Sequence, residues 1–267
     1  MNGLKVRSSE PAKDGCTLQV TPQSAGWTYV GFATHRLGAG QSFSRGGDGR
    51  EVCIVVLSGL VDVVAGDAHF AAVGGRKTVF EGPAASVYVP GDTAFTVSSR
   101  EGADVALCSA PGGGDFAPRL IAASDITPEI RGRGGNQRIV YNILPDGAPA
   151  HSLLVVEVIT PSGHWSSYPP HKHDRSVAGA ETALEETYYH RLDPPQGFAF
   201  QRVYTDDRAI DEAMAVEDGD CVMVPRGYHP VGVPHGYTLY YLNVMAGPER
   251  RWIFANDPEH AWILQDR

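Results

Sequence analysis

Two histidines one residue apart, His171 and His173, are the residues of this sequence best suited to chemistry. Side chains alternate along a β-strand, so both imidazoles would share one face, about 7 Å apart at the backbone. Two later residues could complete a metal site: Glu186 lies in a strand-like run, and His229 follows a Pro-x-Gly turn. A lone His-x-His is weak evidence, but together these four residues predict a metal centre.

Three imidazoles and one carboxylate suit several divalent ions, and the ligand set does not choose among Zn, Mn, Fe, Co and Ni. We expect one divalent transition metal per chain, with Zn, Mn or Fe as the candidates. Any single histidine is more often an ordinary surface or core residue, so the prediction depends on the four residues as a set.

The elements that must position these residues are short strands. The chain has 31 glycines and 19 prolines, and its apolar runs are four to eight residues long, β-branched or aromatic, and bounded by Gly, Pro or Asp. Many short strands at regular spacing predict an all-β sandwich or barrel. Helical periodicity is almost absent; residues 122–130 and 207–215 could each hold one turn of helix.

The strand pattern occurs twice. Glu51 is followed by Pro90 at the same spacing of 39 residues that separates Glu186 from Pro225. Laid over each other, the two copies place Ala94 where the second has His229, and residues 44–48 supply no histidine. This repeat predicts a duplicated domain whose first copy has lost three of four ligands. The alternative is a chance coincidence of two β-rich halves.

Two glycine-rich segments interrupt the pattern. The segment 111–115 is interpreted as a linker, which divides the chain into an N-terminal degenerate copy, residues 1–115, and a C-terminal metal-binding copy, residues 116–267. The segment 131–135, Arg-Gly-Arg-Gly-Gly, is either a plain turn or an anion-binding loop.

Composition limits the partners. The chain has 22 basic and 31 acidic residues among 267, which argues against a nucleic-acid partner. Its four cysteines are scattered, so we expect no disulfide framework, and no run is apolar and long enough for a membrane span. The N-terminal residues lack the apolar core of a signal peptide. We therefore expect a cytoplasmic protein; whether it forms a homo-oligomer is left open.

The ligand spacing resembles the cupin motifs, with one residue rather than the usual two between Gly227 and His229. Four segments of the second half, 160–174, 185–191, 197–207 and 240–248, resemble the 5-deoxy-glucuronate isomerase family of myo-inositol catabolism. That family is related to the 4-deoxy-threo-hexosulose-uronate isomerases. The resemblance covers roughly residues 25–264 and is most specific in the second half.

The resemblance implies a bicupin, two tandem cupin-type β-barrels or jelly rolls, and an aldose–ketose isomerisation. The substrate would be 5-deoxy-D-glucuronate and the product 5-dehydro-2-deoxy-D-gluconate. A metal with open positions could polarise the substrate carbonyl in an enediol mechanism. The alternatives are another cupin metalloenzyme, such as a non-heme iron dioxygenase, and a non-catalytic sugar-binding bicupin.

Strand parity selects candidates for the remaining roles. Tyr188 shares the face of Glu186, where it could exchange a proton with a substrate oxygen or simply fill the barrel. Lys172 points away from the metal and is interpreted as structural. For the substrate carboxylate we predict Arg202, because guanidinium binds carboxylate bidentately, with Gln201 as the alternative by parity.

A further pair, Tyr241 and Asn243, shares a face and could contact substrate hydroxyls or belong to the core. Neither the group that moves the proton nor the choice between proton and hydride transfer follows from the sequence.

Overall fold

The computed structural model describes residues 3–265. Its regular structure is almost entirely strand, as predicted. The strands of the first half are β1 (Lys5–Val6), β2 (Cys16–Val20), β3 (Gly31–Leu37), β4 (Ser42–Arg45), β5 (Arg50–Ala65), β6 (Ala68–Gly74), β7 (Ser86–Val89), β8 (Phe95–Ser98), β9 (Ala103–Pro111) and β10 (Arg119–Ile121).

The second half continues in the same way. Its strands are β11 (Glu129–Arg131), β12 (Arg138–Leu144), β13 (Leu154–Thr160), β14 (Trp165–Ser166), β15 (His171–Lys172), β16 (Glu185–Asp193), β17 (Phe198–Tyr204), β18 (Asp211–Glu217), β19 (Cys221–Val224), β20 (Val231–Gly232), β21 (Thr238–Ala246) and β22 (Ala255–Asn256). The helical segments in the described residues are α1 (Pro22–Ala25) and the 3-10 turns Ala123–Asp125, Gly134–Asn136 and Ala261–Leu264.

One predicted helical turn is found and one is wrong. Residues 123–125 form the 3-10 turn, but in the segment 207–215 residues 207–210 form a loop and residues 211–215 belong to β18. Strand β18 pairs along its whole length with β17, from Asp211 opposite Tyr204 to Glu217 opposite Phe198. This pairing with a neighbouring strand overrides the local preference of an acidic, alanine-containing segment.

Two curled β units make up the fold. In the first barrel, β2–β10, the sheet β10-β7-β5-β9-β3-β2 faces a smaller one in which β5 pairs β6 and β8, and β8 pairs β4. In the second barrel, β1 with β11–β22, the sheet β1-β19-β16-β21-β13-β12-β11 faces β14-β20-β17-β18, and β15 pairs β22.

Some strands have one face inside a barrel and the other in the core between the two barrels, which explains their long apolar runs. On β5, Ile54 packs inside the first barrel, whereas Cys53 and Val55 belong to a core that also contains Tyr189 and Tyr240 of the second barrel. Strands buried on both faces are apolar at consecutive positions. The inner face of β16 therefore lies within the second barrel, where Glu186 and Tyr188 are buried.

Two short strands pair across the proposed domain boundary. Strand β1 joins β19 of the second barrel, and β10 joins β7 of the first. The division between residues 115 and 116 falls between β9 and β10 and stays a prediction. The four cysteines are free thiols, as predicted. Among residues 3–265, no helix has the length and apolar character needed to span a bilayer.

Strand register corrects the sequence alignment of the two halves by one residue. Val52 pairs with Val89, next to Pro90, and Glu186 pairs with Val224, next to Pro225. Val52 therefore occupies the position of Glu186, and Glu51 corresponds to Glu185. Because neighbouring strand residues face opposite sides, Glu51 points out of the first barrel rather than into it.

Candidate metal centre

Three histidines and a glutamate reach the interior of the second barrel from separate elements. His171 lies on β15, where it pairs with Asn256, and His173 follows two positions later. Glu186 lies on β16, between Val224 on one neighbouring strand and Met245 on the other. His229 follows the turn after β19. All four side chains are nearly inaccessible, from 0% exposed for His229 to 7% for His171.

The turn before His229 requires glycine. Gly227 has φ of 95°, in the left-handed region, and an added Cβ would lie 2.5 Å from the carbonyl oxygen of Tyr204. A side chain there would collide with backbone and strain the turn. The Pro-x-Gly pattern before His229 therefore has a direct physical reason.

The ligand atoms of the four residues converge. One nitrogen each of His171, His173 and His229 lies within 4.8 Å of the others, so these histidines could hold a metal ion. The Oε2 atom of Glu186 lies 3.0 Å from Nε2 of His173 and 3.1 Å from Nε2 of His229. This arrangement agrees with the predicted set, and the role of Glu186 as the fourth ligand stays a prediction.

The converging atoms fit a cation. His173 Nε2, His229 Nε2 and Glu186 Oε2 are buried and have no hydrogen-bond partner within the described residues. On the other side of each ring, His173 Nδ1 lies 3.3 Å from the carbonyl oxygen of Leu184, and His229 Nδ1 lies 2.8 Å from that of Gly227. Since a carbonyl only accepts, both Nδ1–H groups donate, which leaves the Nε2 lone pairs free for a metal.

Electrostatics favour neutral imidazoles at two of the positions. Burial, together with the neighbouring histidines, lowers the pKa of His171 well below its usual range, and burial lowers the pKa of His229. Burial alone would lower the pKa of His173, but the Glu186 carboxylate raises it. The pKa of Glu186 is lowered, because His229 and His173 outweigh the effect of its burial.

Lys172 faces away from the cluster, as predicted, and its ammonium is buried among carboxylates. Its Nζ lies 2.7 Å from Asp174, 3.2 Å from Asp206 and 3.5 Å from Glu181. Asp174 also accepts the backbone N–H of Gly227 at 2.9 Å. This network fastens the His171–His173 segment to the turn that carries His229.

A cavity of about 260 Å³ opens beside the cluster, with His171 in its wall and both apolar and hydroxyl-bearing side chains in its lining. Its lining includes Tyr188, Tyr241 and Asn243, the three residues that strand parity selected. The Tyr188 hydroxyl lies 2.9 Å from that of Ser167. The Tyr241 hydroxyl lies 2.7 Å from that of Ser166 and 3.5 Å from that of Ser167.

Ser167 was not found by sequence reasoning. It is buried with φ of 51°, a backbone conformation uncommon outside glycine. It follows β14, where no strand periodicity predicts which way its hydroxyl points.

The predicted orientation of Arg202 is wrong. Its side chain is 44% exposed on the outside of the second barrel and is bonded to Asp211, with Nε to Oδ1 at 2.8 Å and Nη2 to Oδ2 at 2.9 Å. Its neighbour Gln201 is fully buried and faces inward, where Oε1 lies 3.0 Å from Nε2 of His190. Strand parity allowed only one of these two residues to face the barrel interior, and in the structure that residue is Gln201 rather than Arg202.

The glycine-rich segment 131–135 lies at the cavity. Arg131 and Arg138, which flank the turn between β11 and β12, both line it. The sequence pattern allowed either a plain turn or an anion-binding loop here, but it did not indicate that this segment lies next to His171, more than thirty residues away.

The first barrel has a cavity of its own, of about 290 Å³, but its lining contains no histidine. Within residues 3–265, no group of metal-ligating side chains comparable to the one in the second barrel is found in the first. The sequence predicts that the second copy carries the metal ligands and that the first, with Ala94 and residues 44–48 at the corresponding positions, has lost them. The arrangement of side chains in the two barrels agrees with this difference.

Two barrels in tandem, one carrying a buried histidine cluster beside a cavity, define a bicupin with one candidate metal centre. Solved structures with the same fold include the oxalate decarboxylase of Lactobacillus farciminis in its formate complex, with a TM-score of 0.68. At 12% identity, over 96% of this chain and 89% of that one, this likeness concerns the fold alone.

The chain belongs to the KduI/IolB family, whose model matches residues 4–263. It is 50% identical to the 5-deoxy-glucuronate isomerase of Geobacillus kaustophilus, over 100% of this chain and 97% of that protein. It is 54% identical to the enzyme of the same name from Halalkalibacterium halodurans, over 94% of each. The crystal structure of an IolB-like protein from Salmonella typhimurium matches with a TM-score of 0.95 and 51% identity, covering 98% of this chain and 100% of that one.

Proposed function

We propose that this chain is an aldose–ketose isomerase that converts 5-deoxy-D-glucuronate to 5-dehydro-2-deoxy-D-gluconate in myo-inositol catabolism. The observation that carries the proposal is the converging cluster of His171, His173, His229 and Glu186 at the wall of a hydroxyl-lined cavity. The choice of substrate comes from the relatives: the chain shares about half of its residues with 5-deoxy-glucuronate isomerases over almost their full length.

The proposed cofactor is one divalent transition metal, Zn, Mn or Fe, held by His171, His173, Glu186 and His229. The unpartnered Nε2 and Oε2 atoms support this assignment. When bound, such an ion polarises a substrate carbonyl and acidifies the neighbouring C–H bond. The Lys172 network holds the segments that carry His171, His173 and His229 in place before the metal arrives.

Tyr188 is the proposed proton-carrying group. Burial, together with the Glu186 charge, raises the pKa of Tyr188 well above its usual range, so its hydroxyl is protonated at neutral pH. Isomerisation removes a proton from C2 and from O2 and adds one at C1 and at O1. A protonated Tyr188 can donate to O1, and the hydroxyls of Ser167 and Tyr241 are close enough to relay a proton back.

A Tyr188→Phe variant tests that role. We expect kcat to fall on the order of 10²- to 10⁴-fold, the range of general acid–base catalysis, with bound metal unchanged. Tyr189→Phe is the matched control, because Tyr189 is also buried but lies on the opposite face, in the core between the barrels. Wild-type kcat in Tyr188→Phe would show that the tyrosine only fills the barrel.

The reaction itself is tested by incubating the metal-loaded protein with 5-deoxy-D-glucuronate in D₂O under nitrogen and following it by NMR. We expect formation of the ketose without oxygen, and deuterium at C1 if the proton exchanges with solvent. Turnover only in the presence of oxygen would indicate a dioxygenase instead, and binding without turnover would indicate a sugar-binding protein. The cytoplasmic location stays a prediction, for cell fractionation to test.

A further inference from the structure

We propose that Arg131 and Arg138 form the carboxylate-binding end of the substrate cavity and make the enzyme specific for a uronate over a neutral aldose. This inference rests on the proposed function, because it assigns the residues that bind the acidic end of that substrate.

The two arginines are direct cross-strand partners. In the β11–β12 hairpin, Arg131 pairs with Arg138 and Glu129 pairs with Val140. Directly opposed side chains on an antiparallel pair project from the same face, and like charges at such positions destabilise the hairpin. Glu129, two residues from Arg131 on the same face, offsets part of that repulsion, and a bound anion would remove the rest.

Their common face is the wall of the cavity. Arg131, Arg138 and Val140 all line it, together with His171. They are the two cationic side chains of that lining among the described residues. Arg138 and His171 also line an adjoining cavity of about 320 Å³, so Arg138 lies between the two cavities.

The two guanidinium groups differ in their partners. Arg131 donates to Glu129 at 2.8 Å and stacks on Trp252, with its Cζ 5.2 Å from the ring centre. Arg138 donates to the carbonyl oxygens of Asn136 at 3.1 Å and Tyr168 at 3.5 Å, and no carboxylate within residues 3–265 pairs with it. Two carbonyls fix the direction of this half-buried cation. Its charge is offset at longer range by Glu129, whose carboxylate is bonded to Arg131.

A uronate matches this arrangement from end to end. With the aldehyde end beside His171 and Tyr188, the carboxylate of a six-carbon chain extends toward the hairpin. Guanidinium offers a carboxylate a full opposite charge and two parallel hydrogen bonds. The neutral lining residues carry no such charge, and the outward-facing Arg202 does not line the cavity.

The test compares Arg138→Gln with Arg202→Gln, the same substitution at an arginine outside the cavity. For 5-deoxy-D-glucuronate we expect Arg138→Gln to raise KM roughly 10- to 100-fold with little change in kcat, because the contact is made equally in ground and transition states. Arg138→Lys should recover part of the loss, and Arg202→Gln should match the wild type. Arg131→Gln should change KM in the same direction by a smaller factor, because Glu129 already neutralises part of its charge.

A neutral analogue separates carboxylate recognition from a general defect. The kcat/KM for 5-deoxy-D-glucose, which has a hydroxymethyl group in place of the carboxylate, should be the same in Arg138→Gln as in the wild type. An equal loss for both sugars, or an unchanged KM for the uronate in both hairpin variants at wild-type metal content and melting temperature, would overturn the inference.

Failure of the proposed function gives a different result. If the wild type does not turn over 5-deoxy-D-glucuronate, calorimetric binding of D-glucuronate and D-glucose to the metal-loaded protein still tests the hairpin. Selective binding of the uronate that is lost in Arg138→Gln supports a carboxylate subsite. Equal binding of the two sugars contradicts it.

Discussion

The nitrogen and oxygen atoms that converge in the second barrel are unfavourable to bury by themselves. His173 Nε2, His229 Nε2 and Glu186 Oε2 lack partners within the described residues, and each unsatisfied buried polar group costs about 1–3 kcal/mol. A divalent cation satisfies all three at once. Metal binding should therefore stabilise the folded chain in addition to supplying chemistry.

Removal of one imidazole tests the ligand assignment. His171→Ala or His229→Ala should lose bound metal and isomerase activity by more than the roughly 10- to 100-fold that loss of an outer-shell partner costs. The β-sheet signal in circular dichroism should stay, because neither ring belongs to the apolar cores. His235→Ala, at an exposed histidine of the same barrel, is the control. Full metal occupancy in both ligand variants would show that the ligands are wrong.

Alternation along strands was enough to predict part of the site. It placed His171 and His173 on one side with Lys172 on the other, and Tyr188 on the face of Glu186. It failed at Arg202 because alternation separates the two faces of a strand but does not tell which face lies inside the barrel. The Arg202 side chain faces outward, where it pairs with the exposed Asp211. Ser167 and Arg138 lie beside loops, where contacts distant in sequence decide the direction of the side chain.

Among the elements, β5 and β16 show how one strand serves two environments. Each places alternate side chains in its own barrel and in the core between the barrels. The sequence therefore predicts these strands as apolar runs, but the runs do not reveal which face is which. This explains the one-residue error in aligning Glu51 with Glu186. Each glutamate lies 39 residues before the proline of a corresponding turn, but the strand register places their side chains on opposite sides of the two strands.

Strand β3 carries a buried histidine whose protonation opposes folding. His35 stacks on Phe43 with ring centres 4.2 Å apart, and burial, with the nearby Arg45 charge, lowers its pKa to about 4 against the opposing effect of Asp14. An unfolded histidine has a pKa near 6.5, so below that pH the unfolded chain binds a proton that the folded chain does not. Stability is full above pH 6.5 and falls as pH decreases toward 4.

Urea unfolding at pH 7.5 and 5.0 measures this effect. At pH 5.0 the linkage amounts to about 2 kcal/mol for the wild type. The loss between the two pH values should be smaller by that amount in His35→Gln and unchanged in His69→Gln, an exposed histidine on β6. Comparison between variants cancels the contribution of acid-induced metal release. Equal losses in wild type and His35→Gln would contradict the assignment.

In the whole molecule, two equivalent glutamates join the barrels. Glu51 accepts backbone N–H groups of residues 151–153 at 2.6–2.8 Å, and Glu185 accepts those of residues 28–30 at 2.6–2.9 Å. A third carboxylate, Glu157, accepts from Arg76 and from the Tyr240 hydroxyl. Strand register relates Glu51 to Glu185, so the duplication preserves this contact while the ligand positions differ.

Removal of one of these two glutamates should lower the free energy of unfolding. Glu51→Ala leaves three N–H groups and the Tyr88 hydroxyl without their acceptor, which should cost about 2–4 kcal/mol of unfolding free energy. Thermal unfolding of the metal-loaded protein measures it, with the exposed Glu101→Ala as control. A melting temperature equal to that of the control would mean that water replaces the carboxylate at no cost.

A single metal ion in the second barrel is proposed to make the enzyme active. Titration of a divalent metal into the chelated protein, with isomerisation of 5-deoxy-D-glucuronate followed at each addition, tests it most directly. We expect no activity without metal, a linear rise as metal is added, and a plateau at one equivalent per chain, because Val52 and Ala94 offer no ligands in the first barrel. Full activity in the metal-free protein, or a plateau at two equivalents, would contradict it.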